Sequence, residues 1–306
     1  MNLPERYKDL YETIPCNLCG SMEYIVQYQP TVEEYDPSQV FGASNGIRGT
    51  QYVVKCSQCG LLYVNPRLKA DVIVSSYVQS NDELYVSQAE ARERTFQKNL
   101  RVVERYAPAK GKILDIGAAA GFFLKVAREG GWEPYGVEPS QWLSRYGREN
   151  LGVDIKQGTL RESSYPDDFF DVVTMWDVLE HVTDPLGELL EIRRVMKKEG
   201  ILIINYPDIG TWMAKLAGRH WWFLLSVHLT YFSRDTLELM LEKAGFEPIR
   251  TGMHFQTLGL GHLIKMVGIY SQAISGVSYR IARRIGVENM QIPYYASQTN
   301  MISKKV

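Results

Sequence analysis

The stretch "KILDIGAAAGFFL", Lys112 to Leu124, decides the fold. Its first half is an apolar run with one carboxylate, Asp115, of the kind that forms a buried parallel strand. Its second half carries Gly117, Ala118 and Gly121 and then runs into an apolar stretch with helical character. Strand, glycine turn and helix in direct succession open a βαβ unit. Gly117 and Gly121 would let the backbone approach a ligand closely, beside the free N–H groups of the helix start. The spacing is G-x-x-x-G rather than the G-x-G-x-x-G of dinucleotide binders, and no cation replaces the lost glycine to hold a pyrophosphate. Taken alone, the pattern is equally that of a tight turn in a Rossmann-like fold.

Working outward, the alternation continues. "EPYGVEPS" reads as a strand ending in Glu138 and Pro139, with Glu138 placed 17 residues after Gly121. A carboxylate at that strand end can accept both hydroxyls of a ribose. "QWLSRYGRENLG" reads as a helix, "VDIKQG" and "FFDVVTMW" as strands, and "DPLGELLEIRRVMKKEG" as a helix. "ILIINYP" is a strand, "SRDTLELMLEKAGF" a helix and "EPIRTGMHF" a strand, with a last strand from "YYASQTNMISKKV". Upstream, "SQAEARERTFQKNLRVVERYA" is a helix with Ser87 as its expected cap. The pattern predicts a doubly wound, parallel α/β sheet with ligands at the carboxyl ends of its strands.

The 306 residues are 45% hydrophobic and 23% charged, with a formal net charge of −1 and a pI of about 6.5. These are the proportions of a soluble globular protein, and the neutral balance excludes an overall polyanion binder. No signal-peptide core and no run of 18 apolar residues is seen, so the expected location is the cytoplasm.

All four cysteines fall in two matched pairs, "CNLCG" (Cys16, Cys19) and "CSQCG" (Cys56, Cys59). Two thiolates in each C-x-x-C-G point at one ion, and the pairs together supply the tetrahedral sulfur set preferred by structural zinc. A redox pair would need one such motif beside a βαβ unit, not two with matching glycines. Residues 1–60 hold four basic and seven acidic side chains. An acidic module is poorly suited to phosphate backbones, so nucleic acid is not the expected partner. Its aromatics Tyr24, Tyr28, Tyr35 and Phe41 suit a small-molecule or protein contact, or simply core. Three stretches follow: a zinc-binding module over 1–75, a cofactor-binding domain over 76–255, and a helical insertion with the final core strand over 256–306.

"ILDIGAAAGFFL", "YGVEPS", "QGTL", "FDVVTMWDVLEHVTDP" and "RVMKKEGILIINYP" resemble, in order and spacing, the successive motifs of class I S-adenosylmethionine (SAM)-dependent methyltransferases, over about residues 85–250. The knuckles and "GLLYVNPR" look like the zinc module that precedes this domain in some bacterial sugar and glycan-cluster methyltransferases. The methyltransferase resemblance implies a mostly parallel sheet whose last strand is antiparallel. It implies that Asp115, Gly117, Ala118 and Gly121 line the methionine side of SAM. It places Glu138 and Pro139 at the ribose, Thr159 and Leu160 at the adenine, and Asp177 and Val178 beside the amino-acid part. Tyr85 would close over the sulfonium. Ala118 stands where a cysteine is common, and "GTL" lacks the acidic residue that often meets adenine.

The acceptor side is sought where imidazoles cluster, since methyl transfer often needs a proton removed. The histidines are His181, His220, His228, His254 and His262. His181 directly follows the fourth core strand, beside Glu180. In ubiquinone-pathway O-methyltransferases a related E-x-x-E-H segment binds a divalent metal, but here the first carboxylate is the shorter Asp177. The plainer alternative makes Asp177 a helix cap, with Glu180 and His181 in structural roles. "GRHWWFLLSVHLTYFSRDT" places His220, Trp221, Trp222, His228, Tyr231 and Phe232 in one loop, where aromatics with polar tips would suit sugar or ring faces and His228 would serve as base. From residue 251 on, six basic residues face one acidic one. The apolar, basic segment 258–286 would lie on an anionic membrane, grip a phosphate-bearing acceptor, or form a lid or dimer surface. The expected reaction is methyl transfer from SAM to an O or C atom of a sugar, nucleotide-sugar, glycan or related polar metabolite. Its rivals are a quinone or phenol O-methyltransferase and an inactive binding protein.

Overall fold

The computed structural model describes residues 5–31, 49, 51–78, 82–267, 272–288 and 290–306. Tyr35 and Phe41, and the side chains of His262 and Lys265, lie outside the described residues.

The chain opens with β1 (Tyr11–Glu12), β2 (Tyr24–Tyr28), β3 (Val53–Cys56), β4 (Leu62–Val64) and β5 (Arg67–Leu68). Helices α1 (Ala70–Val78), α2 (Glu83–Ser87) and α3 (Ala89–Tyr106) follow. Then come β6 (Lys112–Ile116), α4 (Phe122–Glu129), β7 (Glu133–Glu138), α5 (Gln141–Tyr146), β8 (Ile155–Gln157) and β9 (Phe170–Trp176). The chain continues with α6 (Pro185–Val195), β10 (Met196–Pro207), α7 (Trp212–Ala217), β11 (Thr230–Tyr231) and α8 (Arg234–Lys243). It ends with β12 (Phe246–Gly259), α9 (Leu260–Val267), α10 (Gln272–Arg284) and β13 (Gln291–Lys305).

The main sheet has seven strands in the order β12-β13-β10-β9-β6-β7-β8. β13 runs antiparallel to both neighbours, and the other pairings are parallel. The chain winds one way through β6, β7 and β8, then crosses back to β9, so the switch point lies between β6 and β9. The alternation predicted the doubly wound sheet, and the antiparallel β13 is the last strand that the methyltransferase resemblance implied. Period-two alternation sends neighbours to opposite faces. Ile113 and Val172, paired across β6 and β9, enter a core layer with Leu100 and Val103 of α3, while Leu114 and Val173 enter the opposite layer.

That opposite layer also contains Cys16, Val54, Cys56, Leu61 and Tyr63, so the N-terminal module shares its core with the main sheet. The two are further joined by β11, which pairs with β4 and extends the module's sheet to the order β11-β4-β3-β2.

Three local expectations are corrected. Ser87 does not cap α3; it ends α2, which is capped by Asp82 accepting from Tyr85 N at 2.8 Å, and the Ser87 hydroxyl donates to Leu84 O. The helix opened by Asp184 ends at Val195, because "MKKEG" already belongs to β10. Asp177 does not cap the short helix Leu179–His181, since its carboxylate is held from the terminal strands.

Candidate active site

The carboxyl ends of β6, β7 and β9 bring together the buried carboxyl groups of Asp115 and Glu138 and the half-buried one of Asp177. Asp115 accepts from the Thr174 hydroxyl at 2.7 Å, and burial pushes it up to about 8. Glu138 accepts from Ala119 N and Ser140 N, each at 2.8 Å, and burial pushes it up to about 7. Ala119 sits at φ +47, so Glu138 holds the turn after β6 in a left-handed conformation. Each Glu138 oxygen uses one lone pair on the backbone and retains another for a hydroxyl donor. Asp177, at φ +56, follows β9 and accepts from Gln298 and from Gln256, the latter at 3.3 Å. Burial pushes Asp177 up to about 7, opposed by the Gln298 bond and by the charge of Arg92.

The two glycines have different reasons. Gly117, at φ +65, has no room for a side chain because a Cβ would lie 2.6 Å from Val178. The β6 and β9 ends therefore meet backbone to side chain at the switch point. At Gly121 a Cβ would meet Val153 at 2.7 Å and Ile155 at 2.9 Å. Gly121 thus lets α4 pack on β8. Ala118 is buried with Leu124 and Val153, and Pro139 is half-buried. Thr159 bonds Glu162 through both its N–H and its hydroxyl, and Leu160 is buried in the core layer shared with the module.

Tyr85 stacks on Phe122, with ring centroids 5.9 Å apart, and the Arg92 guanidinium lies 3.6 Å above the same ring. Sequence reasoning singled out Tyr85 but missed Arg92, Gln256 and Gln298. Gln256 and Gln298 lie 79 and 121 positions from Asp177, on strands that no motif marks. Tyr294 completes this network by donating to Gln256 Oε1 at 2.6 Å.

SAM fits these residues. Its ribose would find the remaining Glu138 lone pairs, and its cationic amino and sulfonium groups would meet carboxyl groups that burial has left without a full countercharge.

A second cluster lies beyond Val178. Glu180 is 2% exposed, and neither carboxyl oxygen has a hydrogen-bond partner among the described residues. His181 places Nε2 3.9 Å from Glu180 Oε1, and its ring meets that of His228 edge-on at 4.7 Å. Nδ1 of His181 lies 2.9 Å from Val227 O, and Nδ1 of His228 lies 2.8 Å from Phe223 O. Carbonyl oxygens only accept, so both rings carry the proton on Nδ1 and keep a lone pair on Nε2. Tyr77 Oη lies 2.9 Å from His181 Nδ1, and Arg67 donates to Thr183 O, so the module braces the segment. Burial pushes His181 down to about 4 and His228 well below its usual range.

The other candidates separate from this cluster. His254 is buried against Trp176, and His220 is exposed in the loop after α7. Trp221, Tyr231 and Phe232 are buried. The Trp221 indole donates to Ser297 Oγ and that of Trp222 to Ala296 O. The two indole N–H groups of the aromatic loop are thus taken up by β13, and the Tyr231 hydroxyl donates to Leu225 O at 3.2 Å.

The four cysteines do converge. Cys16 and Cys59 Sγ lie 3.4 Å apart, as do Cys19 and Cys56 Sγ, and all four lie within 4.8 Å of one another. The first turn of each knuckle closes with Gly20 N to Cys16 O and Gly60 N to Cys56 O.

Residues 88–251, more than half of the chain, match the model of the methyltransferase domain family. The chain belongs to that family and has the class I methyltransferase fold. It is 29% identical over 149 residues to an uncharacterized methyltransferase of Schizosaccharomyces pombe, covering 44% of this chain and 52% of that protein. It is 26% identical over 157 residues to a ubiquinone biosynthesis O-methyltransferase of Cereibacter sphaeroides, covering 47% of this chain and 64% of that one. The chain thus spans about half to two thirds of these relatives. A SAM-dependent methyltransferase from Archaeoglobus fulgidus superposes with a TM-score of 0.51 at 18% identity, covering 73% of this chain and all of that one.

Proposed function

We propose that the protein transfers the methyl group of SAM to a hydroxyl oxygen of a polar, ring-bearing acceptor, such as a sugar, nucleotide-sugar or glycan unit. SAM would lie over Asp115, Gly117 and Glu138, with its amino-acid end at Asp177 and Arg92. The acceptor would enter at His181, whose side chain is 19% exposed while Glu180 and His228 lie beneath it. The acceptor proton leaves toward this cluster, the oxygen pair forms the C–O bond, and the C–S pair returns to sulfur. The observation that carries the reading is the position of Glu180, His181 and His228 directly beyond the cofactor strand. Turnover of labelled SAM over a panel of nucleotide sugars tests it, with His181→Ala and His228→Ala expected to lower turnover while SAM affinity, measured by calorimetry, is kept. Full turnover in both variants would sink the assignment.

The cysteine cluster is read as a structural zinc site. Ligands about 2.3 Å from a zinc ion lie roughly 3.8 Å apart, close to the sulfur spacings found here.

A second reading, a phenol or quinol acceptor met at a membrane surface, is favoured by α10. There Val277 and Ile281 are 49% and 56% exposed along one face, followed just past the helix end by Ile285 at 65%, with Arg280 and Arg284 beside them. No helix among the described residues is long and apolar enough to cross a membrane, so contact would be interfacial. Flotation with anionic vesicles separates the readings: salt-sensitive binding supports the second, and its absence removes it.

A further inference from the structure

We infer that Glu180, His181 and His228 form a second metal site, a two-histidine, one-carboxylate cradle for a divalent transition-metal ion with open positions toward the acceptor. The inference rests on the methyl-transfer reading only for what the ion would do, not for its binding.

The ligand set is complete and oriented. One oxygen of Glu180 and one nitrogen from each imidazole lie within 4.8 Å of one another. Ligand atoms about 2.0–2.2 Å from a common ion are separated by up to roughly 4.2 Å, so small side-chain rotations close the cradle. Both imidazoles give their Nδ1–H to a backbone carbonyl, Val227 O and Phe223 O. This arrangement fixes the Nε2 lone pair for a metal. A carboxyl group 2% exposed with two unpartnered oxygens is a costly thing to bury, and a cation removes the cost.

Asp177 does not take part. Its carboxylate is engaged by Gln256 and Gln298 from the terminal strands. The third ligand comes instead from the loop that feeds β11, the strand attached to the N-terminal module. Two imidazoles favour zinc, iron, nickel or copper over magnesium, which prefers oxygen donors. With the ion bound the imidazoles would act as ligands in place of proton acceptors, and a hydroxyl placed on the open position would lose its proton to solvent more readily, leaving an oxygen pair to attack the methyl carbon as the C–S pair returns to sulfur.

The full chain, stripped with chelator and reloaded with Co2+, tests this by metal analysis and absorption spectra. Glu180→Gln and His228→Asn should each bind one ion fewer than the parent protein, with the thiolate charge-transfer bands of the cysteine site kept. Losing a second-shell partner alone weakens metal binding roughly 10–100-fold, so losing a ligand should weaken it at least that much. Asp177→Asn should keep the full metal content. Circular dichroism on each variant separates loss of a ligand from loss of fold, and the near-isosteric Glu180→Gln is the decisive variant if His228→Asn does not fold. Unchanged metal content in folded Glu180→Gln, or loss of the ion in Asp177→Asn, overturns the inference. SAM binding by calorimetry is read separately, so failure of the cofactor reading and failure of the metal site show up in different measurements.

Discussion

The guanidinium of Arg67 donates to the main-chain oxygen of Thr183, two residues beyond His181, and to Glu12 at 3.1 Å. A buried cation of the N-terminal module is thereby fastened to the loop that carries the candidate acceptor site. Arg67→Met should remove both bonds, leaving the Thr183 carbonyl with a lost partner. The expected loss is roughly 1.5–3 kcal/mol, as for hydrogen bonds to charged groups. Denaturant titration checks the stability. Turnover should fall while SAM affinity holds, because Asp115 and Glu138 lie on other strands.

Removal of metal from the cysteine cluster should lower the melting of the whole protein rather than unfold an independent bead. Cys16, Cys56 and Tyr63 share one core layer with Leu114 and Phe246. Calorimetric scans with and without chelator should show a single transition moving down, with all four thiols becoming reactive to a thiol reagent. Two separated transitions would contradict the shared core.

The buried carboxyl groups set a pH dependence. Asp115 is pushed up to about 8, and Glu138 and Asp177 to about 7, all by burial. In the unfolded chain such groups titrate near about pH 4. A carboxyl raised in the fold favours folding while neutral, so its contribution is complete below the unfolded value and is lost as pH rises through 7 and 8. The protein without SAM should therefore lose stability progressively between about pH 4 and 8. SAM, which brings positive charge to these groups, should raise the melting temperature more at the upper end of that range. Thermal melts at several pH values check this, and a SAM-induced shift that is flat with pH would speak against it.

Gly117→Ala and Gly121→Ala should fail in different ways. Both positions have positive φ, which costs a residue with a Cβ about 1–2 kcal/mol. At Gly121 the new methyl also meets Val153 and Ile155 inside the core, and overpacking adds roughly 1–3 kcal/mol. At Gly117 it displaces Val178 at the switch point. Gly121→Ala is thus expected to lose stability first, and Gly117→Ala to lose SAM affinity at a smaller cost in stability. Denaturation and calorimetry on the pair give the comparison.

The strands of the main sheet were legible because each buried parallel strand is a near-continuous apolar run between glycine or capping signals, as in "KILDIG" and "ILIINYP". The acidic strand ends, Asp115 and Glu138, were legible for the same reason: charge at the end of such a run stands out. His181 and His228 could each be nominated from the sequence. Their meeting could not, because it depends on a loop returning after β10 to touch the segment after β9. Arg92, Gln256 and Gln298 escaped because a single polar residue on a helix or edge strand looks like ordinary surface until the tertiary fold turns it inward. The aromatic loop misled for the complementary reason: Trp221 and Phe232 look exposed among polar neighbours, yet β13 and the module enclose them.

The strand β11 joins the module's sheet although its residues lie more than 160 positions beyond β4 in the chain. Anyone wishing to transplant the cysteine module onto another methyltransferase would have to carry two separate pieces of polypeptide, the N-terminal segment and the loop that supplies His228. Recombination at a single crossover would leave one half without its edge and the other without its imidazole, so the two segments should be inherited, exchanged or lost together.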